Sequence, residues 1–398
     1  MMILGIPFEF VLFAITLLGV GLFHRHTLNV AVAGLAAVIA YKLTVTGFKN
    51  GAGLEGLAAH LGHEWVVLAN LFALLVGFAL LAGHFHDSRA PDVLPRYLPD
   101  DWKGGFVLLL MVFVLSSFLD NIAAAVIGGT IASAVFRGKV HIGYLVAIVA
   151  ASNAGGSGSV IGDTTTTMMW IAGVGPTSVL HAYVAAVVAV LFFGVIAARQ
   201  QQRYAPIAPD PAAGIRVDFV RLGIVVFMLL AAIAANVAIN VGFPQWADRF
   251  PFIGAAIWLA LLVTLPLRQP AWNKLPDAVR GSIFLLSLVL SASLMPVEAL
   301  PAASWQTALG LGYISAVFDN IPLTALALHQ GGHDWGVLAY AVGFGGSMMW
   351  FGSSAGVALS NLFMESKSVG AWLRYGWHVA VAYPLGFFAL LWLLGWQP

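Results

Sequence analysis

The chain contains no cysteine, so disulfides, thiolate metal sites and thiol chemistry are excluded together. Charge is scarce as well: 9% of the 398 residues are Asp, Glu, Lys or Arg, against about 25% in an ordinary soluble domain. The net charge is only +1 and no dense run of Lys and Arg occurs, so nothing could neutralise a row of phosphates, and a nucleic-acid partner is excluded. Hydrophobic residues make up 60% of the chain, the composition of an all-α polytopic membrane protein whose main partner is the lipid bilayer. Met1 to Val20 is apolar but lacks a basic start and a small-residue cleavage site, and reads as a retained span rather than a signal peptide.

A span needs about 20 apolar residues with some latitude. Such runs lie at roughly 3–23, 28–47, 65–83, 180–198, 219–241, 252–267, 281–295 and 375–396. Two more, about 141–174 and 335–364, carry glycine-rich breaks and are read as unwound helices, which gives five spans per half. Gly53 to Glu64 reads as a weakly amphipathic interfacial piece. Arg199 to Val217, rich in Gln and Pro, reads as a cytoplasmic linker between a first half, 1–198, and a second, 218–398.

The runs 106–136 and 304–330 are too long for one span and too short for two. In the first, Phe106–Leu119 and Ile122–Val135 are arms of 14 residues. Each arm is about 21 Å long at 1.5 Å per residue, against a hydrocarbon core of about 30 Å. Both runs are therefore expected to be re-entrant hairpins, with tips at Asp120-Asn121 and Asp319-Asn320. Charge placement tests this, because cytoplasmic loops collect Lys and Arg. With hairpins and the N-terminus outside, Lys42, Lys49 and Arg249 fall outside and the other 15 of the 18 basic residues inside; single spans would give 7 inside against 11. Both termini are then expected outside, in a bacterial inner membrane. Five spans per half make the halves repeats of inverted topology.

The stretch Asn153 to Trp170 cannot be an uninterrupted helix. Gly155, Gly156, Gly158 and Gly162 each cost about 1 kcal/mol against Ala, and Asp163 costs roughly 2.5 to 3.5 kcal/mol at a bilayer centre. Backbone that leaves the helix at membrane depth is tolerated where it is buried in protein or lines a polar cavity. The second break repeats the first: Gly345-Gly346-Ser347 and Gly352-Ser353 match Gly155-Gly156-Ser157 and Gly162-Asp163 at an offset of 190. Asp319-Asn320 matches Asp120-Asn121 at an offset of 199. Transporters place their sites where such repeats meet. Asp120, Asn121, Asp163, Thr164, Thr165, Asp319, Asn320, Ser353 and Ser354 are accordingly expected around one cavity, without a Lys or Arg. Intramembrane carboxylates with no basic partner need a cation or a proton, and hard cations such as sodium take oxygen ligands.

These residues resemble the NhaD-type sodium/proton antiporters of the ion-transporter, citrate-transporter-like superfamily. The resemblance spans both halves and rests on Asp120-Asn121, Asn153-Ala-Gly-Gly, Ile161-Gly162-Asp163 with Thr165 and Thr166, Asp319-Asn320-Ile321-Pro322, and Gly345-Gly346-Ser347 with Gly352-Ser353. It implies two hairpins, two unwound helices, a transported cation held between them with Asn153 among the ligands, and a homodimer whose transport domain moves like an elevator. Ser157-Gly158-Ser159-Val160 departs from the family, which has a bulkier Trp- and Pro-containing segment there. No cofactor is implied; Na+ or Li+ and H+ are cargo, and Asp163 is the preferred coupling carboxylate.

Other readings compete. Small residues also serve plain helix packing, but Asp163 and the second copy exceed that need. A nucleotide loop would require Lys-Ser or Lys-Thr after the glycines. A small-anion transporter for a dicarboxylate or arsenite uses the same scaffold and is the main alternative. An intramembrane aspartyl protease needs two Asp sharing a proton, and the Asn beside Asp120 and Asp319 argues against it, so no enzyme is expected. His84, His86 and Asp87 read as a solvated loop, and His60, His63 and Glu64 as interfacial. His181 and His378 read as anchors near span ends, with pH sensing as the alternative.

Overall fold

The computed structural model describes residues 2–3, 6–23, 26–49, 51–93, 98–207, 216–246, 249–318 and 320–398. The first half runs through α1 (Phe8–Leu22), α2 (Thr27–Tyr41), α3 (Gly53–Asp87), α4 (Trp102–Ser116), α5 (Asn121–Val135), α6 (Ile142–Ser157), α7 (Thr164–Ile171) and α8 (Ala182–Tyr204). The second runs through α9 (Phe219–Val237), α10 (Phe252–Thr264), α11 (Leu275–Ser293), α12 (Trp305–Ser315), α13 (Asn320–Gln330), α14 (Trp335–Gly345), α15 (Ser354–Leu362) and α16 (Val369–Leu394). Among the described residues the only strands are a two-residue pair, Met2–Ile3 against Ile6–Pro7. The protein is an all-α polytopic membrane protein. Among the described residues, six stretches are long and apolar enough to cross a bilayer: Thr27–Thr46, Gly53–Asp87, Pro176–Tyr204, Phe219–Val237, Trp272–Ser293 and Val369–Leu394. α1 and α10, expected as full spans, are shorter, at 15 and 13 residues.

Several of the polar residues of this apolar chain sit at helix starts. Asp101, Asp120, His141, Asp163, Asp218, Ser304, Asp334, Ser353 and Ser368 each accept a backbone N–H at an N-terminus. Lipid offers no hydrogen bonds, so helices that begin inside the protein need these caps.

Packing separates the helices into two groups. α2 packs on α1 and α11, and α3 on α9, α10 and α11. The remaining helices gather around α6 and α14, whose residues 143–157 and 336–345 are buried throughout. The small side chains of α6, Ala147, Ala150, Ala151, Ala154 and the glycines, are what let neighbours approach so closely. Each hairpin is pinned to its own broken helix: Ser116 Oγ donates to the Ser152 carbonyl at 2.5 Å, and Ser315 Oγ to the Val342 carbonyl at 2.7 Å. Its second arm crosses over. α5 packs on α15 and α13 on α7, so each half supports the interrupted helix of the other. Contacts of α13 with α11 and of α7 with α3 join the two groups.

Several expectations need correction. Gly53 to Glu64 is no separate interfacial piece; no strong breaker precedes Asp87, so it forms the first turns of the 35-residue α3. His60 and Glu64 are buried one turn apart and, with His63, line a polar cavity of about 620 Å³ shared with Glu9, Lys42, Glu298 and His329. The linker starts later, because α8 continues helically to Tyr204, and 208–215 lie outside the described residues. His84, His86 and Asp87 are the last turn of α3 rather than a loop, and His84 is 1% exposed, with Nδ1 3.1 Å from Arg221 Nη1. His378 is no anchor, since it is fully buried on α16.

Candidate functional site

Glycine makes both interruptions possible. A Cβ at Gly155 would strike the Phe113 carbonyl and one at Gly162 the Ser116 carbonyl. In the second half, Gly345 faces the Gly312 carbonyl and Gly352 lies where a Cβ would come 2.5 Å from the Ala316 carbonyl. The hairpins thus pack backbone to backbone against the breaks, and only glycine fits.

After each break the chain re-enters a helix through the same cap geometry. Asp163 has φ −142° and ψ 145°, and Ser353 has φ −145° and ψ 153°. Asp163 Oδ1 accepts the Thr165 N–H at 3.2 Å, and Ser353 Oγ the Gly356 N–H at 3.2 Å. The run of threonines has a structural task, because unwinding frees carbonyls that lipid cannot satisfy. Thr166 Oγ1 donates to the Ser159 carbonyl at 2.6 Å and the Asp163 carbonyl at 2.9 Å, and Thr167 Oγ1 to the Val160 carbonyl at 3.0 Å. The Thr165 hydroxyl is different: it is buried and has no hydrogen-bond partner.

Asn153 ties the halves together. Its Oδ1 accepts from Asn121 Nδ2 at 3.1 Å, and its Nδ2 donates to Ser347 Oγ at 2.9 Å and Ser353 Oγ at 3.0 Å. Across the centre, Asn320 Nδ2 reaches Asp163 Oδ2 at 3.4 Å. Asp163 is 2% exposed, and Asn121, Asn153, Thr164, Thr165, Asn320 and Ser353 are also buried. Asp120 is half-buried and caps α5. Together with Asp163, Thr164 and Thr167 it lines a crevice of about 10 Å³ against Leu71, Leu74, Leu75 and Phe78 of α3, room for about one water. This crevice lies on the seam between the two helix groups.

Asn121, Asn153, Asp163, Asn320 and Ser353 therefore meet, while Asp120 and Thr164 reach the same place from the crevice. Thr165 contributes its N–H to the cap, and Ser354 opens α15 half-buried. Asp319 lies outside the described residues. Ser347, Ser157 and Gly343 belong to the centre although sequence reasoning did not select them. The first two stand in the repeated motif, so the offset of 190 could have found them. Trp372, whose Nε1 donates to the Ser347 carbonyl at 3.2 Å, had no such signal.

The donor set is one ionisable carboxylate from Asp163 with amides, hydroxyls and loosened carbonyls around it. Among the described residues, no cluster of three His, Asp or Glu could cage a metal. Two positive half-helix ends, at α7 and α15, begin beside it. The chemistry fits a weakly held hard monovalent cation or a proton.

Two curated relatives from Arabidopsis thaliana resemble the chain. One, named sodium/proton antiporter 1, is 25% identical over 392 residues, covering 86% of this chain and 65% of the relative. The other, named sodium/proton antiporter 2, is 26% identical over 320 residues, covering 71% of each. No protein-family model matches. The chain thus spans just under two thirds of the first relative's length, and its similarity extends into both halves.

Proposed function

We propose that the chain is a secondary antiporter that exchanges Na+ or Li+ for H+ by alternating access. The observation that carries this is the place of Asp163: a carboxylate 2% exposed, capping a half-helix at an interruption inside the protein, with the Asn320 amide 3.4 Å from its Oδ2. Burial disfavours the charged form of a carboxylate, so a proton or a cation taken up at this one lowers the cost when the site crosses. One charge serves two ligands in turn, and that competition is exchange. The names of the two relatives support the same ions. Anion transport fits less well, because Asp120 and Asp163 both line the crevice beside the centre.

In this reading the two halves are inverted repeats, each of five spans plus a hairpin, and the chain is a homodimer of the NhaD type without enzymatic activity. The group of α1–α3 and α9–α11 is the scaffold. The group of α4–α8 and α12–α16 moves against it as an elevator, and the crevice between Asp163 and α3 lies on the sliding surface. The test uses purified protein in vesicles carrying a pH gradient, to which sodium, lithium, potassium and dicarboxylates are added in turn. Sodium or lithium should dissipate the gradient with no anion present. Dicarboxylate flux without cation-driven proton release would overturn the proposal in favour of anion transport.

A further inference from the structure

The repeat that builds the centre is broken at one pair of positions. At the offset of 190, Ser157 corresponds to Ser347 and Asp163 to Ser353, but Asn153 corresponds to Gly343. Asn153 sends its Nδ2 into the space between Ser347 Oγ, 2.9 Å away, and Ser353 Oγ, 3.0 Å away. The equivalent space in the other half lies between Ser157 and Asp163. Position 343 points into it: a Cβ there would lie 3.4 Å from Asp163 Oδ2, 3.5 Å from the Ser157 Cβ and 4.0 Å from the Asn153 carbonyl oxygen. Glycine sends no side chain in.

We infer that the fold forms two like-shaped cation positions, that the Asn153 amide permanently occupies the one beside Ser347 and Ser353, and that the protein therefore binds a single Na+, at Asp163. This deepens the exchange reading and rests on it. The –NH2 of an amide carries partial positive charge and donates two hydrogen bonds, so between two hydroxyl oxygens it takes the place a small cation would take. Asn121 holds it there, donating to Asn153 Oδ1 at 3.1 Å. The counterpart of Asn121 at the offset of 199 is Asn320. Having no side chain at 343 to bond, Asn320 reaches Asp163 Oδ2 instead, 3.4 Å away. The two substitutions act together: Gly343 clears the space beside the carboxylate and releases Asn320 to serve it. Charge points the same way, because the position beside Gly343 carries the Asp163 carboxylate and the equivalent position the neutral Ser353 hydroxyl. Gly343 and Asn153 thus set how many ions the chain carries.

Equilibrium binding of 22Na+ to the purified full-length chain in detergent counts the sites. One Na+ per wild-type chain is expected. Gly343→Asn should place an amide beside Asp163 and abolish binding while the chain still elutes as a folded species. Gly343→Ala, whose methyl meets Asp163 Oδ2 only in ordinary contact, should keep one site with about tenfold weaker affinity, a shift of about 1.4 kcal/mol. The double variant Asn153→Gly, Ser353→Asp should gain a second site. Two sites in the wild type, or undiminished binding in both Gly343 variants, would overturn the inference and leave the exchange reading standing. A wild type that binds no Na+ would overturn both.

Discussion

Asp163→Asn removes one charge and little else. Asn caps helices about as well as Asp, so the Thr165 N–H keeps its acceptor and the change in stability should stay within a few tenths of a kcal/mol. The effect on a bound cation is much larger. Two unit charges 4 Å apart interact by about 4 kcal/mol at an effective dielectric constant of 20. At about 1.4 kcal/mol per decade, that corresponds to a loss of roughly three orders of magnitude in affinity. Closer ligation would raise the figure and competing proton binding would lower it, so a hundredfold loss is a conservative threshold. The assay compares the rates at which Na+ dissipates an imposed pH gradient in vesicles holding equal amounts of wild type and variant. Thermal melting monitored by size-exclusion fluorescence confirms that both are folded. Exchange should vanish at sodium concentrations that saturate the wild type, with melting unchanged. If well-folded Asp163→Asn releases protons normally on sodium addition, the coupling carboxylate lies elsewhere, and Asp120 is the next residue to replace.

Ser353→Ala should retain part of the exchange activity, since it removes a cap worth about 1 kcal/mol and one of two acceptors of Asn153, but no charge. Gly162→Ala should cut the yield of folded protein sharply because its methyl strikes the Ser116 carbonyl, whereas Gly223→Ala on α9 meets nothing within 4 Å and should be neutral by the same expression assay. The absence of native cysteine permits single-cysteine labelling: probes replacing Lys103 and Lys139 should react from one side of the membrane and a probe at Gly175 from the other, and opposite-side labelling of the first two would end the hairpin topology. The hydrogen bond from Arg268 holds the Asp218 carboxyl below its ordinary 3.8. A depressed folded-state value stabilises above 3.8 and loses that contribution as pH falls through the folded value. The melting difference between wild type and Asp218→Asn should therefore close in acid and be constant near neutrality.

The hairpin arms and the two interruptions were legible in the sequence because they follow from lengths and from glycine. An arm of about 21 Å cannot cross about 30 Å of hydrocarbon, and the glycines of the breaks admit carbonyls that a Cβ would exclude. Asp163 and Asn320 could be placed together from the two offsets, and Asn153 from the family resemblance. The offsets could not say that α5 would lie on α15 and α13 on α7, since a repeat identifies equivalent elements without pairing them. Polarity misled at α3. His60 and Glu64, one turn apart, suggest a face turned to the membrane surface, but the protein supplies its own polar cavity for them. His378 gave no signal of depth, because a single polar residue in an apolar run can sit at any height. The Asn153 and Gly343 pair was visible in the aligned repeats but acquires meaning only from the distances around Asp163.

The crossed arms carry a consequence for biosynthesis. α7 ends at Ile171, yet it packs on α13, and Asp163 meets Asn320 only when α13 has been made. A ribosome that has threaded the first half into the membrane has therefore delivered every glycine of the first break without completing the polar centre. Assembly of that centre waits for the second hairpin, which reaches it from the opposite half. A nascent or prematurely released first half would hold the carboxylate without the amide that faces it. The interlocked topology thus ties the appearance of the assembled polar centre to synthesis of the second hairpin.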